Sequence, residues 1–376
     1  MAQNPLLDNF GDKNTKTWII GDLHAYNFGT FLNNKGEIVY DVNDFDDAII
    51  ADYQYDLWRL ATSMVMIAKD NASLNNRDLE KSVRNLTLTY IDTLSTFLDL
   101  AQKDTCYITY ENSGGNLRKF LLKTERKNNR PKMLRKWVKV KKGLNKFNFK
   151  NNSLRPVSEE QEQIILNAFP DYVDSLEAKF IDKSSYFKII DIAQRLSAGL
   201  GSLGCNRFYV LIQGDSKKLS DDRIIDLKFQ WKPTGYFFLS VEEQKEYDKR
   251  FENEGIRFVE AYKSMHRYSD NHLGWIKLPD GYYTVTERCP YRGYFPPEKL
   301  KRTKDFENMA ADWARSLASN HVYSFNDFNY ELVIEKAYQK RRQFFEQIMD
   351  LAFAYERQVV KDWEMFCDIL KKTNKS

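Results

Sequence analysis

Apolar residues follow two different repeats along this chain. Over residues 51–103 they recur at helical spacing, with Leu57, Leu60, Ala61, Met64 and Ile67 on one face, which predicts helix packed on a core. The C-terminal part behaves alike. From Glu298 onward there is neither Gly nor Pro, and Ile334, Tyr338, Phe345, Ile348, Ala352, Tyr355, Val359, Trp363 and Leu370 keep the helical repeat. Residues 188–290 obey the other rule: "KIIDIAQRLS", "NRFYVLIQ", "RIIDLKF" and "YYTVTER" are β-branched and aromatic runs broken by Gly-bearing turns, which predicts strands. One helix is expected there, over about 242–266. Residues 16–48 read as strand, polar loop, strand and acidic turn, and Ser158 with Gln161 fits a capping box opening a further helix.

The pattern predicts an α+β protein of two lobes and four parts. Residues 16–103 open a helical lobe, 104–187 insert basic and helical sequence, 188–290 form a β-rich lobe, and 291–376 return to the helical lobe. At 376 residues, 42% apolar and 14% aromatic, the chain can fill two cores. No apolar run reaches the eighteen or so residues of a membrane span, and "MAQNPLLDNFGDKNTK" lacks the charged head and apolar middle of a signal peptide. A cytoplasmic protein is expected. Cys106, Cys205, Cys289 and Cys367 lie far apart without a CxxC pair, which argues for reduced thiols and against a zinc site or a disulfide framework.

Charge changes the picture locally. The net charge is only +4, but residues 118–155 hold fifteen Lys or Arg against the single acid Glu125, so the rest of the chain is acidic. Phe120, Trp137, Phe147 and Phe149 interleave with these cations, as on a surface for nucleic acid, phosphate or an anionic substrate. The plainer reading is a solvated helix face followed by a loop around "KKGLNKFNFKNNS".

The chemistry concentrates in "WIIGDLHAYNFGTFLNNKGEIVYDVNDFDDA", residues 18–48, which gathers Asp22, His24, Asn27, Asp41, Asn43, Asp44, Asp46 and Asp47. Asp22 and Asn27 stand five residues apart, the spacing by which a kinase-like catalytic loop sets a base beside the attacking hydroxyl and a carboxamide on magnesium. Asp44 follows the strand "EIVYDV", where such sites carry a second metal-binding aspartate, and Asp46 is a further oxygen ligand in reach. Hard Mg²⁺ takes oxygen donors and shares them with ATP phosphates. Asp56 would begin the helix behind the loop and hold its amides.

Gly199, Gly201 and Gly204 form G-x-G-x-x-G, a motif used by dinucleotide folds and kinases alike. Here a strand follows the third glycine, so the glycines are expected in a hairpin that could cover a triphosphate. Lys228 then sits in the strand "RIIDLKF" and needs a carboxylate or a phosphate. Glu260, with Glu254 competing, is its expected helical partner, giving the strand-lysine and helix-glutamate arrangement of kinases.

The blocks "GDLHAYN", "VNDFDDA" and "YDLWRLA" resemble the GDxHxxN, IDF and YDLA motifs of aminoglycoside and choline phosphotransferases in the protein-kinase-like superfamily. With "GLGSLG" and "LASNH" added, the chain from about Trp18 to His321 more closely resembles an uncharacterised bacterial family, domain of unknown function 2252. The resemblance implies a two-lobed kinase-like fold and a phosphoryl-transfer site using ATP and Mg²⁺, with His24 matching the phosphotransferase form of the loop. It implies no particular acceptor; a small molecule or protein hydroxyl fits. Catalytic-loop motifs precede the glycine and lysine motifs, the reverse of an ordinary kinase, so a circular permutation is expected. In that case "MAADWARSLASNH" leads into the loop, and His321 should lie near Trp18.

Other readings stay open. Ile20 stands where many kinases carry a histidine two residues before the catalytic aspartate. A catalytically weak nucleotide-binding scaffold and a nucleotidyltransferase both fit the same residues. A dinuclear metallophosphoesterase shares the GDxH opening, but four histidines and the lack of later ligand motifs argue against it.

Overall fold

The computed structural model describes residues 6–72, 74–99, 107–176, 183–196, 204–266, 269–324 and 328–373. The fold is mixed α and β, 52% helix and 19% strand, with a helical part and a sheet-rich part. In chain order come β1 (Lys16–Ile19), β2 (Phe28–Leu32), β3 (Ile38–Val42), β4 (Ile49–Asp52), then α1 (Gln54–Ala72), α2 (Asn76–Thr96), α3 (Gly115–Lys127) and α4 (Arg130–Trp137). Next are β5 (Val138–Lys141), β6 (Leu144–Phe147), β7 (Leu154–Pro156), α5 (Glu159–Ser175) and α6 (Lys183–Tyr186). β8 (Ile189–Arg195), β9 (Arg207–Ile212) and β10 (Arg223–Phe229) precede α7 (Val241–Arg250) and α8 (Glu254–Met265). β11 (Gly274–Leu278) and β12 (Gly281–Glu287) precede α9 (Thr303–Ser324), α10 (Tyr330–Gln339) and α11 (Arg341–Thr373). The chain divides into a helical unit, Met1–Gly29, Tyr40–Leu121 and Tyr294–Ser376, and a sheet-rich unit, Thr30–Val39 and Leu122–Gly293.

In the helical unit β1 pairs with β4, Trp18 opposite Ile50, and not with the strand next along the chain. The helical stripe of α1 is core: Leu57, Leu60, Ala61, Met64 and Ile67 are all buried, each large one stabilising by about 2 kcal/mol. α2 buries Leu79, Val83, Leu86, Tyr90 and Leu94 at the same spacing, and the Tyr90 ring stacks on Tyr53 at 5.8 Å. In α11 the repeat persists, but only its first half is core. Ile348 and Ala352 are buried, whereas Tyr355, Trp363 and Leu370 are exposed.

The sheet-rich unit is built on six antiparallel strands in the order β11-β12-β10-β9-β8-β7. One sheet face packs Ile225, Leu227, Val210 and Val285 against Phe169 and Tyr172 of α5. The other packs Ile224, Tyr209 and Leu211 against Met133 and Trp137 of α4 and Phe147 of β6. Residues 122–187 therefore belong with the sheet and not with a helical lobe: β7 extends it and α5 covers it. The expected loop around "KKGLNKFNFKNNS" is in fact the β5–β6 hairpin, turned at Lys142 (φ 52°) and Gly143 (φ 76°). Lys139, Lys141 and Lys142 face water, Lys146 pairs with Asp191 at 3.5 Å, and Trp137 and Phe147 are buried, so part of the basic-aromatic interleaving is amphipathic packing.

Helix 242–266 proves to be two helices. Phe251 takes an extended conformation that ends α7, and Asn253 caps α8 by accepting from the Ile256 amide at 2.9 Å. α5 opens on the expected capping box, Ser158 with Gln161. Cys205, Cys289 and Cys367 are free thiols, and among the described residues no helix is long and apolar enough to cross a membrane.

Candidate functional site

The loop after β1 is held from two sides. Asp56, fully buried in the first turn of α1, accepts the Ile20 amide at 2.7 Å and the Gly21 amide at 3.1 Å. Gly21 (φ +79°) passes so close to the acidic turn that a Cβ there would meet the Asp47 carbonyl oxygen at 2.3 Å, which leaves room for glycine alone. His24 then caps a single 3₁₀ turn, Ala25–Asn27, accepting from the Tyr26 amide, and the Asn27 Oδ1 accepts the His24 amide at 2.7 Å. The Asn43 amide donates to the Asn27 carbonyl at 2.8 Å. Loop 20–27 and turn 43–47 are thus stitched together, with Asp44 next in chain to that hydrogen bond.

Within this pocket of polar groups Asp22 is half exposed, ion-paired to Arg59 of α1, and its Oδ2 stands 4.0 Å from His24 Nε2. Burial lowers the His24 pKa, Asp22 raises it and Arg59 lowers it again. Asp44, Asp46 and Asp47 are half-buried on either side of the fully buried Phe45. These carboxylates and the Asn27 carboxamide are all hard oxygen donors, the set that Mg²⁺ takes and softer metals do not prefer. An open cavity of about 430 Å³ lies beside His24 and Arg59, lined also by Tyr26, Ser63, Asp70 and Tyr355 among others; the carboxylates of turn 43–47 and Asn27 do not line it.

Behind the loop lies a buried polar network. His321, fully buried, places Nε2 3.4 Å from Asp56 and Nδ1 2.7 Å from the Tyr90 hydroxyl. Thr17 of β1 donates to the His321 carbonyl at 2.9 Å, so α9 and β1 are neighbours across 304 positions. Asp41 accepts from Ser316, from Asn320 at 2.7 Å and from the Val42 amide, and burial pushes its carboxyl up to about 7 against those hydrogen bonds. Arg59, Tyr90 and the Asp41 anchor were not singled out from sequence. Arg59 sits in "YDLWRLA", and helical spacing from Asp56 would have put it on the loop-facing side.

The other expected residues belong to the sheet-rich unit. Gly199 and Gly201 lie outside the described residues; Gly204 is a turn residue at φ +79°, and the flanking β8 and β9 are antiparallel neighbours. Lys228 lies in β10 between Arg207 of β9 and Thr284 of β12. Its face of the sheet carries Trp275, which pairs with Thr284 and on which Gly255 of α8 packs. Glu254 is tied to Tyr247, Arg257 and Lys232, at 2.6, 2.7 and 3.5 Å. Glu260, expected opposite Lys228, is 42% exposed and stands 3.8 Å from Arg250.

A further charged cluster in that unit is structural. Asp270, His272 and Glu287 converge, but Arg130 and Arg223 pair with Glu287, Tyr186 bonds His272 Nε2 at 2.7 Å, and the amides of His272 and Glu287 fill Asp270. The two guanidiniums and these hydrogen bonds already balance the carboxylates, so the cluster holds together without a metal. His266, packed on Phe31 at 4.9 Å, is likewise core.

No curated protein and no solved structure matches the chain. The family model described as an uncharacterised protein conserved in bacteria (DUF2252) matches residues 3–369, nearly the full length, and the chain belongs to that family.

Proposed function

We propose that this protein is an ATP- and Mg²⁺-dependent phosphotransferase of protein-kinase-like organisation, with its motifs in circularly permuted order, acting on a hydroxyl acceptor. The observation that carries the reading is the hydrogen bond from Asn43 to Asn27, which joins the loop bearing Asp22 to the turn bearing Asp44. The sheet-rich unit lends support through its order of parts: an antiparallel pair flanking the glycine stretch, a third strand with Lys228, then α8 on the same sheet face.

In this mechanism Asp22 accepts the acceptor hydroxyl's proton, and Arg59 and His24 hold its carboxylate in position. Asp56 fixes the loop amides. Asn27, Asp44 and Asp46 would hold Mg²⁺, which supplies neutralisation of charge on the transferred phosphoryl group. The backbone at 199–204 and Lys228 bind the ATP phosphates, with Glu260 as the helical acid. Alignment and charge neutralisation supply the rate. The Asp22–Arg59 ion pair favours a second reading, a nucleotide-binding scaffold without turnover, because it ties up the base.

Thermal shifts with a nucleotide panel, with and without Mg²⁺, followed by product and intact-mass analysis, test the proposal. Stabilisation by ATP·Mg with ADP and a phosphorylated product is expected. Stabilisation without product would make it a scaffold, AMP transfer would make it a nucleotidyltransferase, and Mn²⁺-dependent phosphodiester cleavage would revive the phosphoesterase.

A further inference from the structure

The basic stretch has no part in the phosphotransfer reading, yet the sheet-rich unit builds a cavity from it. Lys132 and Lys136 on one face of α4, Asn128 and Asn129 at its start, and Arg288 and Arg292 just after β12 line a space of about 80 Å³. Four cations surround it and no carboxylate lines it.

Arg288 is fixed from both sides. Its Nη1 donates to the Tyr209 hydroxyl at 3.0 Å, and its guanidinium lies 4.4 Å from the centre of the Trp137 ring. Its Nε is buried and has no hydrogen-bond partner among the described residues. A guanidinium held by one hydroxyl and one ring keeps further N–H donors on its other edge for an acceptor. The like charges repel one another, and Asp226, itself paired with Arg207, offsets them only in part. Their field reaches Asp226: burial would raise its carboxyl, but Arg207, then Arg292 and Arg288, hold it below the usual range.

We propose that this cavity binds the phosphoryl group of a small phosphorylated molecule. The guanidinium of Arg288 offers donors in a planar fork suited to phosphate oxygens, and Lys132 and Lys136 neutralise the dianion as point charges. The space admits a few water-sized groups, enough for a phosphoryl head, so the remainder of the ligand stays outside.

The test titrates the full chain with inorganic phosphate and with methyl phosphate, against sodium chloride at matched ionic strength, reading thermal shift and calorimetry. Saturable binding of both phosphates is expected, with Arg288→Gln and Lys136→Glu each weakening it about tenfold or more. Lys136 is exposed, so its variant should keep the wild-type fold even if Arg288→Gln does not. A shift that merely follows ionic strength, or wild-type binding by Lys136→Glu, would overturn the proposal. So would tight binding of a single-stranded oligonucleotide that phosphate does not displace, which would make the face a nucleic-acid surface. The assay contains neither ATP nor Mg²⁺, so its outcome is independent of the phosphotransfer experiment.

Discussion

Asp56 holds the Ile20 amide at 2.7 Å across 36 positions of sequence, and the same carboxylate stands 3.4 Å from His321. Replacing it by alanine leaves two amides and a buried imidazole without their acceptor. Asp56→Ala should cost about 3 kcal/mol, read from urea unfolding, while Asp56→Asn, which keeps one carbonyl, should cost less. An alanine variant with the wild-type midpoint would show that the loop does not depend on this brace.

Asp41 makes stability fall as pH rises. Its folded pKa of about 7 lies above the unfolded value near 3.9 because burial outweighs its hydrogen bonds. Below pH ~4 both states are protonated; between ~4 and ~7 only the folded state keeps the proton, and stability declines through that window. The loss should amount to about 2–4 kcal/mol, and Asp41→Asn should flatten the profile. Carboxyl NMR placing Asp41 near 4 in the folded protein would contradict this.

His24 reports on the Asp22 environment. Burial lowers its pKa, while Asp22 pulls it up and Arg59 down. With only four histidines in the chain, imidazole proton titrations can follow it. Asp22→Asn should lower the His24 pKa further, and Arg59→Gln should raise it. Identical titrations in all three proteins would mean that the three groups are uncoupled.

How much of this was legible in the sequence depended on whether side-chain period and backbone environment agreed. α1 was readable because its apolar positions hold one helical face, and β8, β9, β10 and β12 because they are runs of β-branched and aromatic residues, β9 and β10 being buried on both sheet faces. β2, "FGTFL", and β11, "GWIKL", were missed: each is a run of five residues carrying a glycine, which weakens the strand pattern. The break in 242–266 had a local signal, Asn253, but the charges on both sides continued the helical pattern. In the β5–β6 hairpin, lysines on the outer positions hid the alternation. At the candidate site, spacing singled out Asp22, Asn27, Asp44 and Asp56, and of these Asp56 holds the loop amides as expected. Arg59 and Asp41 act through contacts with residues that folding alone brings near.

Asp226 and Arg207 form a bidentate pair across β10 and β9, the aspartate 2% exposed. Breaking one side strands the other charge, so Arg207→Leu should destabilise by about 3–5 kcal/mol. The double variant Arg207→Leu/Asp226→Leu should recover much of that loss in a double-mutant cycle. If the two single effects simply add, the pair is not coupled.

In the proposed reaction Asp22 serves as base in a metal-dependent transfer. The most direct measurement follows ATP·Mg by ³¹P NMR with wild type, Asp22→Asn and Asp44→Asn, alongside calorimetric ATP·Mg binding. Wild type should give ADP, Asp22→Asn should lose turnover with binding intact, and Asp44→Asn should bind in a way that no longer responds to Mg²⁺. Equal turnover by all three proteins, or no binding of ATP·Mg by wild type, would contradict the proposed reaction.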